Sequence, residues 1–176
     1  MSRELDVYID QTVVGKLSEQ DNIWSFQYDA NWLSNTDSYP LSPEIPLIPE
    51  KQTDGSSTRH IQWYMDNLLP EEEARKLLAK DIREPVEDTF ALLTKAGAES
   101  AGAITLMPSG TPLPQGDHYQ LTEDEISKRI KTLPQSPMNR SERKRMSLAG
   151  AQHKMLVIYK DGQLYEPSGQ MPSTHI

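Results

Sequence analysis

Two short runs near the N-terminus alternate apolar and polar residues with a period of two. That pattern constrains the fold more than any other feature of the chain, because it demands a half-buried sheet. In LDVYID, Leu5, Val7 and Ile9 fall on one side and Asp6, Tyr8 and Asp10 on the other. TVVGKL reads as its partner across a turn near Asp10 and Gln11. In IWSFQYD, Trp24, Phe26 and Tyr28 share one face. A small antiparallel sheet follows. The next stretch, SYPLSPEIPLIPEKQTDGSS, carries Pro40, Pro43, Pro46 and Pro49 and cannot supply the amide protons of a ladder. It predicts either extended segments that dock on aromatics or a surface loop anchored by Leu41, Ile45 and Leu47.

Three helical patterns come next. In RHIQWYMDNLL, Ile61, Met65 and Leu68 share a face, and Pro70 is placed to open the following helix. Glu71, Glu72 and Glu73 favour the positive end of that helix, and Ala74, Leu77 and Leu78 supply its buried stripe. Consecutive glutamates fan out around a helix, so they read as a solvated face and not as a metal site. In EDTFALLTKAG, Asp88 is the expected N-cap and Gly97 the expected end. SAGAITLMP then reads as a buried strand closed by Pro108, with Gly102 marking a close backbone approach. SGTPLPQGDHYQ reads as a loop. TEDEISKRIKTLP opens with a capping box between Thr122 and Glu125 and carries Ile126, Ile130 and Leu133 on its apolar side. PQSPMNRSERKR, with no periodicity, reads as a connector.

Composition narrows the function. The 176 residues carry a formal charge of -8 and no cysteine. Phosphate repels an acidic chain, so direct binding along a DNA backbone is disfavoured. Disulfides and thiolate metal sites are excluded. His60, His118, His153 and His175 lie far apart, so no helical zinc spacing is present. No stretch approaches the roughly 18 apolar residues of a membrane span, and the opening residues lack a signal-type apolar run. The expectation is a soluble, cytoplasmic protein with no membrane partner.

The chemistry concentrates near the C-terminus. After the basic run Arg143, Lys144, Arg145 comes the small, polar stretch MSLAGAQHK, then the apolar strand MLVIY, the turn signal Asp161-Gly162 and the returning strand QLYE. Ser, Ala and Gly leave backbone amides open to an anion. A strand follows this turn, which disfavours a Walker loop, where a glycine–lysine pair opens a helix. Kinase-type folds do place such a loop over nucleotide phosphates between strands. From the residues alone, a plain connecting loop and a phosphate cradle both stand. Ser147, just after the basic run, is either a turn serine or a serine whose phosphate the arginines would hold.

The stretches VYIDQTVVGKLS, FQYDANWL, PLSPEIPL, MDNLLPE, FALLTKAGAESAGAITLMP, SLAGAQHKMLV and PSTHI, in that order, resemble the N-terminal part of the HipA-like serine/threonine kinases, the toxins of type II toxin–antitoxin pairs. The resemblance covers nearly all of the chain. It implies an α+β fold: a mixed N-terminal domain with small antiparallel sheets and helices, leading into a truncated kinase-like N-lobe made of a glycine-rich loop and a β-hairpin. The segments expected are 1–107, the N-terminal subdomain; 108–140, a loop, helix and connector; and 141–176, the truncated start of the kinase core.

The resemblance also assigns roles. Ala149, Gly150, Ala151, Gln152, His153 and Lys154 correspond to the loop that contacts ATP phosphates, and Ser147 to the autophosphorylated serine whose modification ejects the loop and lowers activity. His153 stands where relatives often carry glutamate. ATP and Mg2+ are the implied cofactors of the complete kinase. A serine on a translation component, such as an aminoacyl-tRNA synthetase, is the implied target, and growth arrest and persistence the implied outcome. A helix-turn-helix, HipB-like antitoxin is the implied partner and carries the DNA contact. The family's nucleotide-pairing lysine would follow STHI, and its catalytic and metal-binding aspartates belong to a helical domain beyond; no residue here takes those roles. The expectation is therefore a chain inactive by itself, metal-free, and either a piece of a longer kinase, a decayed fragment, or a binding module that docks on a separate kinase lobe and neutralises it.

Overall fold

The computed structural model describes residues 2–99, 103–132, 140–141, 144–145, 155–169 and 171–176. The two alternating runs and TVVGKL between them form β1 (Arg3–Ile9), β2 (Thr12–Gln20) and β3 (Ile23–Tyr28). They pair antiparallel, with Leu5 opposite Leu17 and Leu17 opposite Phe26, so the predicted apolar faces coincide. Asp21 and Asn22 turn β2 into β3 with φ of 52° and 63°, a left-handed pair that short polar residues tolerate. Gly15 is required on this sheet: a Cβ there would lie 2.6 Å from the Phe26 ring and 2.4 Å from the Gln27 carbonyl oxygen.

After β3 come α1 (Ala30–Ser34), the proline stretch and β4 (Gln52–Thr53). The proline stretch is the anchored surface loop. Ile45 is fully buried, and Leu41 and Leu47 pack partly against the core. The buried Tyr28 hydroxyl fixes it from below, donating to the Ile45 carbonyl at 2.6 Å and accepting from the Leu41 amide at 2.9 Å.

Helices α2 (His60–Asp66), α3 (Glu72–Ile82) and α4 (Thr89–Ala96) follow, then β5 (Ile104–Pro108), which pairs with β1. The sheet order is β4-β3-β2-β1-β5. Its inner face packs with Ile61, Met65, Phe90 and Leu93 from α2 and α4 into one core. Trp24 meets the Phe90 ring edge-on, centroids 5.1 Å apart.

Three helix details depart from the periodicity. α2 ends at Asp66, and Leu69 beyond it is the buried residue, with Leu68 only partly so. Pro70 lies ahead of α3 and does not open it, since Glu71 is the extended N-cap. The buried stripe of α3 is Leu78, Ala79 and Ile82, with Ala74 and Leu77 half-exposed. The cause is Arg75, which takes the first position of that stripe. Its guanidinium reaches Asp66 at 2.8 Å, the Thr89 hydroxyl at 2.8 Å and the Val86 carbonyl at 3.1 Å. Gly97 does end α4, but at φ −67° and running into a 3-10 turn. It is glycine because a Cβ would stand 2.6 Å from Leu106 Cβ. Gly102 lies outside the described residues.

The C-terminal part builds a second sheet. The stretch expected to be a loop contains β6 (Asp117–Leu121), and α5 (Glu123–Lys131) follows it. β7 (Arg140–Ser141) and β8 (Lys144–Arg145) pair with each other. β9 (Ile158–Lys160) and β10 (Gln163–Ser168) form the hairpin at Asp161-Gly162, both at positive φ. Its order is β6-β10-β9. DHYQL carries little apolar alternation, and only its pairing with β10 makes it a strand. The mixed α+β class thus stands. Among the described residues no helix is long and apolar enough to cross a membrane.

Two polar features pin this core. Asp54, 8% exposed, accepts from the Ile61 and Gln62 amides at 3.0 Å each and so caps α2 from outside the helix. Asp54→Ala strands those amides and is expected to lower unfolding free energy by about 2 kcal/mol at unchanged m-value in urea titration. Arg3 joins β1 to α4. It holds both Asp88 oxygens at 2.7–2.8 Å and Glu19 at 2.7 Å, with the guanidinium 4.9 Å from the centre of the Phe90 ring. Burial by itself would raise the Asp88 pKa. Hydrogen bonds from Arg3 and the Ala91 amide, with the Arg3 charge, outweigh it and hold the carboxyl below its usual range. The stabilisation is present above the unfolded carboxyl pKa of about 4 and is lost as pH falls through the lower folded value. Arg3→Met is expected to flatten this part of the acid stability profile, measured by urea midpoints at successive pH.

Candidate functional site

Ser147 and the stretch Ala149, Gly150, Ala151, Gln152, His153 and Lys154 lie outside the described residues, and the structure describes what flanks them. On the N-terminal side is the β7–β8 ladder, Arg140 opposite Arg145 and Ser141 opposite Lys144. On the C-terminal side Met155 precedes β9, which pairs with β10 through Ile158–Tyr165, Tyr159–Leu164 and Lys160–Gln163. The described elements nearest the candidate stretch on either side are therefore strands.

The other edge of β9 meets STHI. The Val157 amide donates to the His175 carbonyl at 2.9 Å, and the Val157 carbonyl accepts from the Thr174 and His175 amides at 3.0 Å. The Thr174 hydroxyl accepts from the Tyr159 amide at 2.8 Å.

The far side of the sheet is held by α5. Thr122 and Glu125 form the expected capping box: the Thr122 hydroxyl accepts from the Glu125 amide, and Glu125 accepts from the Thr122 amide. Lys128, Arg129 and Lys131 occupy the last turn, where the helix dipole favours cations. Ile130 is exposed and Ile126 half-buried, while Leu133 lies outside the described residues. What fastens α5 to the sheet is Arg129. Its Nη1 and Nη2 donate to the two oxygens of Glu166 at 2.9 and 3.0 Å, and Nη1 also donates to Met155 Sδ at 3.2 Å. The side chains are 15% and 7% exposed. Sequence reasoning missed this pair. A signal existed: in QLYEPS, Glu166 falls on the same strand face as Leu164, and a buried carboxylate demands a cationic partner.

Chemically, the described flanking residues bring together no reactive constellation of their own. Among the described residues no group of three or more His, Asp or Glu is placed to hold a metal ion. A surface cavity of about 570 Å³ lies on the N-terminal sheet beside Lys16, Gln27, Leu33 and Pro49. Its charged groups are engaged internally: Lys16 with Glu4, Asp29 as the cap of α1, and Asp6 with Ser109 and Gly110.

Residues 5–107 match the protein family described as the HipA N-terminal domain. The chain is 32% identical over 182 residues to the protein Y4mE of Sinorhizobium fredii, an alignment covering 99% of this chain and 42% of that protein. It is 31% identical over 176 residues to the serine/threonine-protein kinase toxin HipA of Shewanella oneidensis, covering 98% of this chain and 39% of that one. Among solved structures it matches a chain of the Shewanella oneidensis MR-1 toxin–antitoxin complex of HipA, HipB and operator DNA. That match has a TM-score of 0.72 and 28% identity, over 97% of this chain and 39% of that chain. The chain thus spans about two fifths of the length of the curated relatives it matches.

The geometry of the Arg129–Glu166 pair carries its own test. Arg129→Met leaves a buried carboxylate without its guanidinium and is expected to cost about 3 kcal/mol in urea unfolding. Replacing both partners, Arg129→Met with Glu166→Met, is expected to recover most of that loss.

Proposed function

The chain belongs to the family of the HipA N-terminal domain, and from that premise we propose that it is the N-terminal region of a HipA-like serine/threonine kinase toxin. One observation carries the reading. The structural likeness covers 97% of the chain, so it extends past the N-terminal subdomain through the strands that flank the small stretch 147–154.

In this reading the backbone amides of Ala149 to Lys154 donate to the phosphate oxygens of ATP. Their donor set suits that task, since small side chains leave the amides bare and Lys154 adds a cation. The strand-to-strand setting suits a kinase-type loop better than a Walker loop, which needs a helix. The Ser147 hydroxyl loses its proton and gains the phosphoryl group, with release of ADP. Mg2+ and the groups that activate a hydroxyl come from outside this chain, which by itself is inactive. In the complete kinase the target is a serine on a translation component such as an aminoacyl-tRNA synthetase, and a HipB-like helix-turn-helix antitoxin neutralises it. A chain of charge -8 suits a division in which the antitoxin alone reads DNA.

A second reading has its own support. The N-terminal sheet and helices bury one continuous core drawn from residues 5–106, so this part has what a free-standing module needs. It would then dock on a kinase lobe encoded separately and restrain it.

Both readings are tested by assaying the chain together with a HipA-type catalytic lobe and radiolabelled ATP. Label is expected on Ser147 and is expected to vanish in Ser147→Ala; unchanged label in that variant removes the serine assignment. A lobe that phosphorylates its target alone and is silenced when the chain is added favours the restraining module.

A further inference from the structure

The chain has two Asp-Gly steps, Asp54-Gly55 and Asp161-Gly162. Such a step can rearrange by itself. Glycine has no side chain to shield its nitrogen, so that nitrogen can attack the carboxyl of the aspartate before it. The fold treats the two steps in opposite ways.

At Asp54 both reacting groups are committed. The carboxylate is buried and accepts from the Ile61 and Gln62 amides at 3.0 Å each. The Gly55 nitrogen donates to the Thr58 carbonyl at 2.9 Å. Attack there requires that the cap of α2 and this turn both open. At Asp161 the described sheet holds neither group. The register joins Lys160 to Gln163 and leaves the two turn residues outside the ladder. Both are exposed, and a Cβ built on Gly162 would meet nothing within 4 Å. Asp161 sits at φ 52°, a left-handed conformation that an L-residue adopts at a cost. A turn tip of this kind opens locally without breaking a pair of the sheet.

We propose that Asp161 is a site of spontaneous isomerisation to isoaspartate, and that the folded chain confines the reaction to it. The Gly162 nitrogen bonds to Cγ of Asp161. One carboxyl oxygen leaves as water, with the amide proton and the carboxyl proton, and a five-membered imide closes. Water then adds to one of the two imide carbonyls. Opening at Cγ restores aspartate. Opening at the main-chain carbonyl leaves Gly162 joined through Cγ, so the main chain runs through Cβ and gains one carbon. The water lost is the water regained, and no other reactant enters.

The lengthened turn does not undo the sheet. β10 is held by β6 from Asp117 to Leu121, and Glu166 by Arg129. The aged chain stays folded and shows the displaced carboxylate at its surface. A carboxyl methyltransferase specific for isoaspartate recognises that chemistry.

The test ages the intact chain at neutral pH, folded or in urea. After dialysis it is given such a methyltransferase with radiolabelled S-adenosylmethionine. Positions are assigned with a protease that cuts before aspartate and not before isoaspartate. The folded chain is expected to accept methyl groups at Asp161 and not at Asp54, and the unfolded chain at both. Acceptance by the folded chain is expected to be lost in Asp161→Gly, which keeps the left-handed turn. Should that variant fail to fold, cleavage before Asp161 in the wild type decides alone. A folded, aged chain that is still cut fully before Asp161, or that resists cutting equally before Asp54, overturns the proposal.

Discussion

Burial of Leu5, Val7, Leu17, Trp24 and Phe26 on one side of an antiparallel sheet obliges the chain to find an apolar cover for that side. The cover comes from α2 and α4, and most of the N-terminal architecture answers to it. The proline-rich loop drops Ile45 into the same core and is tied to the sheet by Tyr28. An added methyl group at Gly97 would push the cover away from Leu106 on the sheet, and one at Gly15 would strike Phe26 and Gln27 of the neighbouring strand.

Charge fastens what apolar contact brings together. Arg3 joins β1 to the start of α4, Arg75 joins α3 to Asp66 and Thr89, and Arg129 joins α5 to β10. In each case a guanidinium meets more than one acceptor across an element boundary. Hydrophobic burial is non-directional and leaves packed layers free to slide. A fork of N–H groups fixed on two or three oxygens does not.

The sequence made the first of these plain and hid the second. Alternation at Leu5, Val7, Trp24 and Phe26 located the sheet and its inner face, because period-two patterning is a local property. The capping residues Asp88 and Thr122 were legible for the same reason. What escaped was set by partners distant in sequence. Arg75 carries no apolar signal, and the α3 stripe was read one position away from where it lies. DHYQL was read as a loop because its strand character is conferred by β10. Of the candidate site, Ser147 and residues 149–154 fall outside the described residues. The hairpin after them was legible from Asp161-Gly162, while the Arg129–Glu166 pair needed the register of β6, β9 and β10 to be seen.

The pairing of β6 with β10 has a consequence for the order of assembly. Gln120 meets Gln163 across 43 positions of chain, whereas the first sheet is closed once β5 reaches Pro108. On a ribosome the earlier sheet and its helices can therefore collapse while the later strands are still unsynthesised. Pairing across the excursion from Thr122 to Gly162 is made only when β10 emerges. The bond from Arg129 to Glu166 that fastens α5 to this sheet is likewise deferred until β10 has been made.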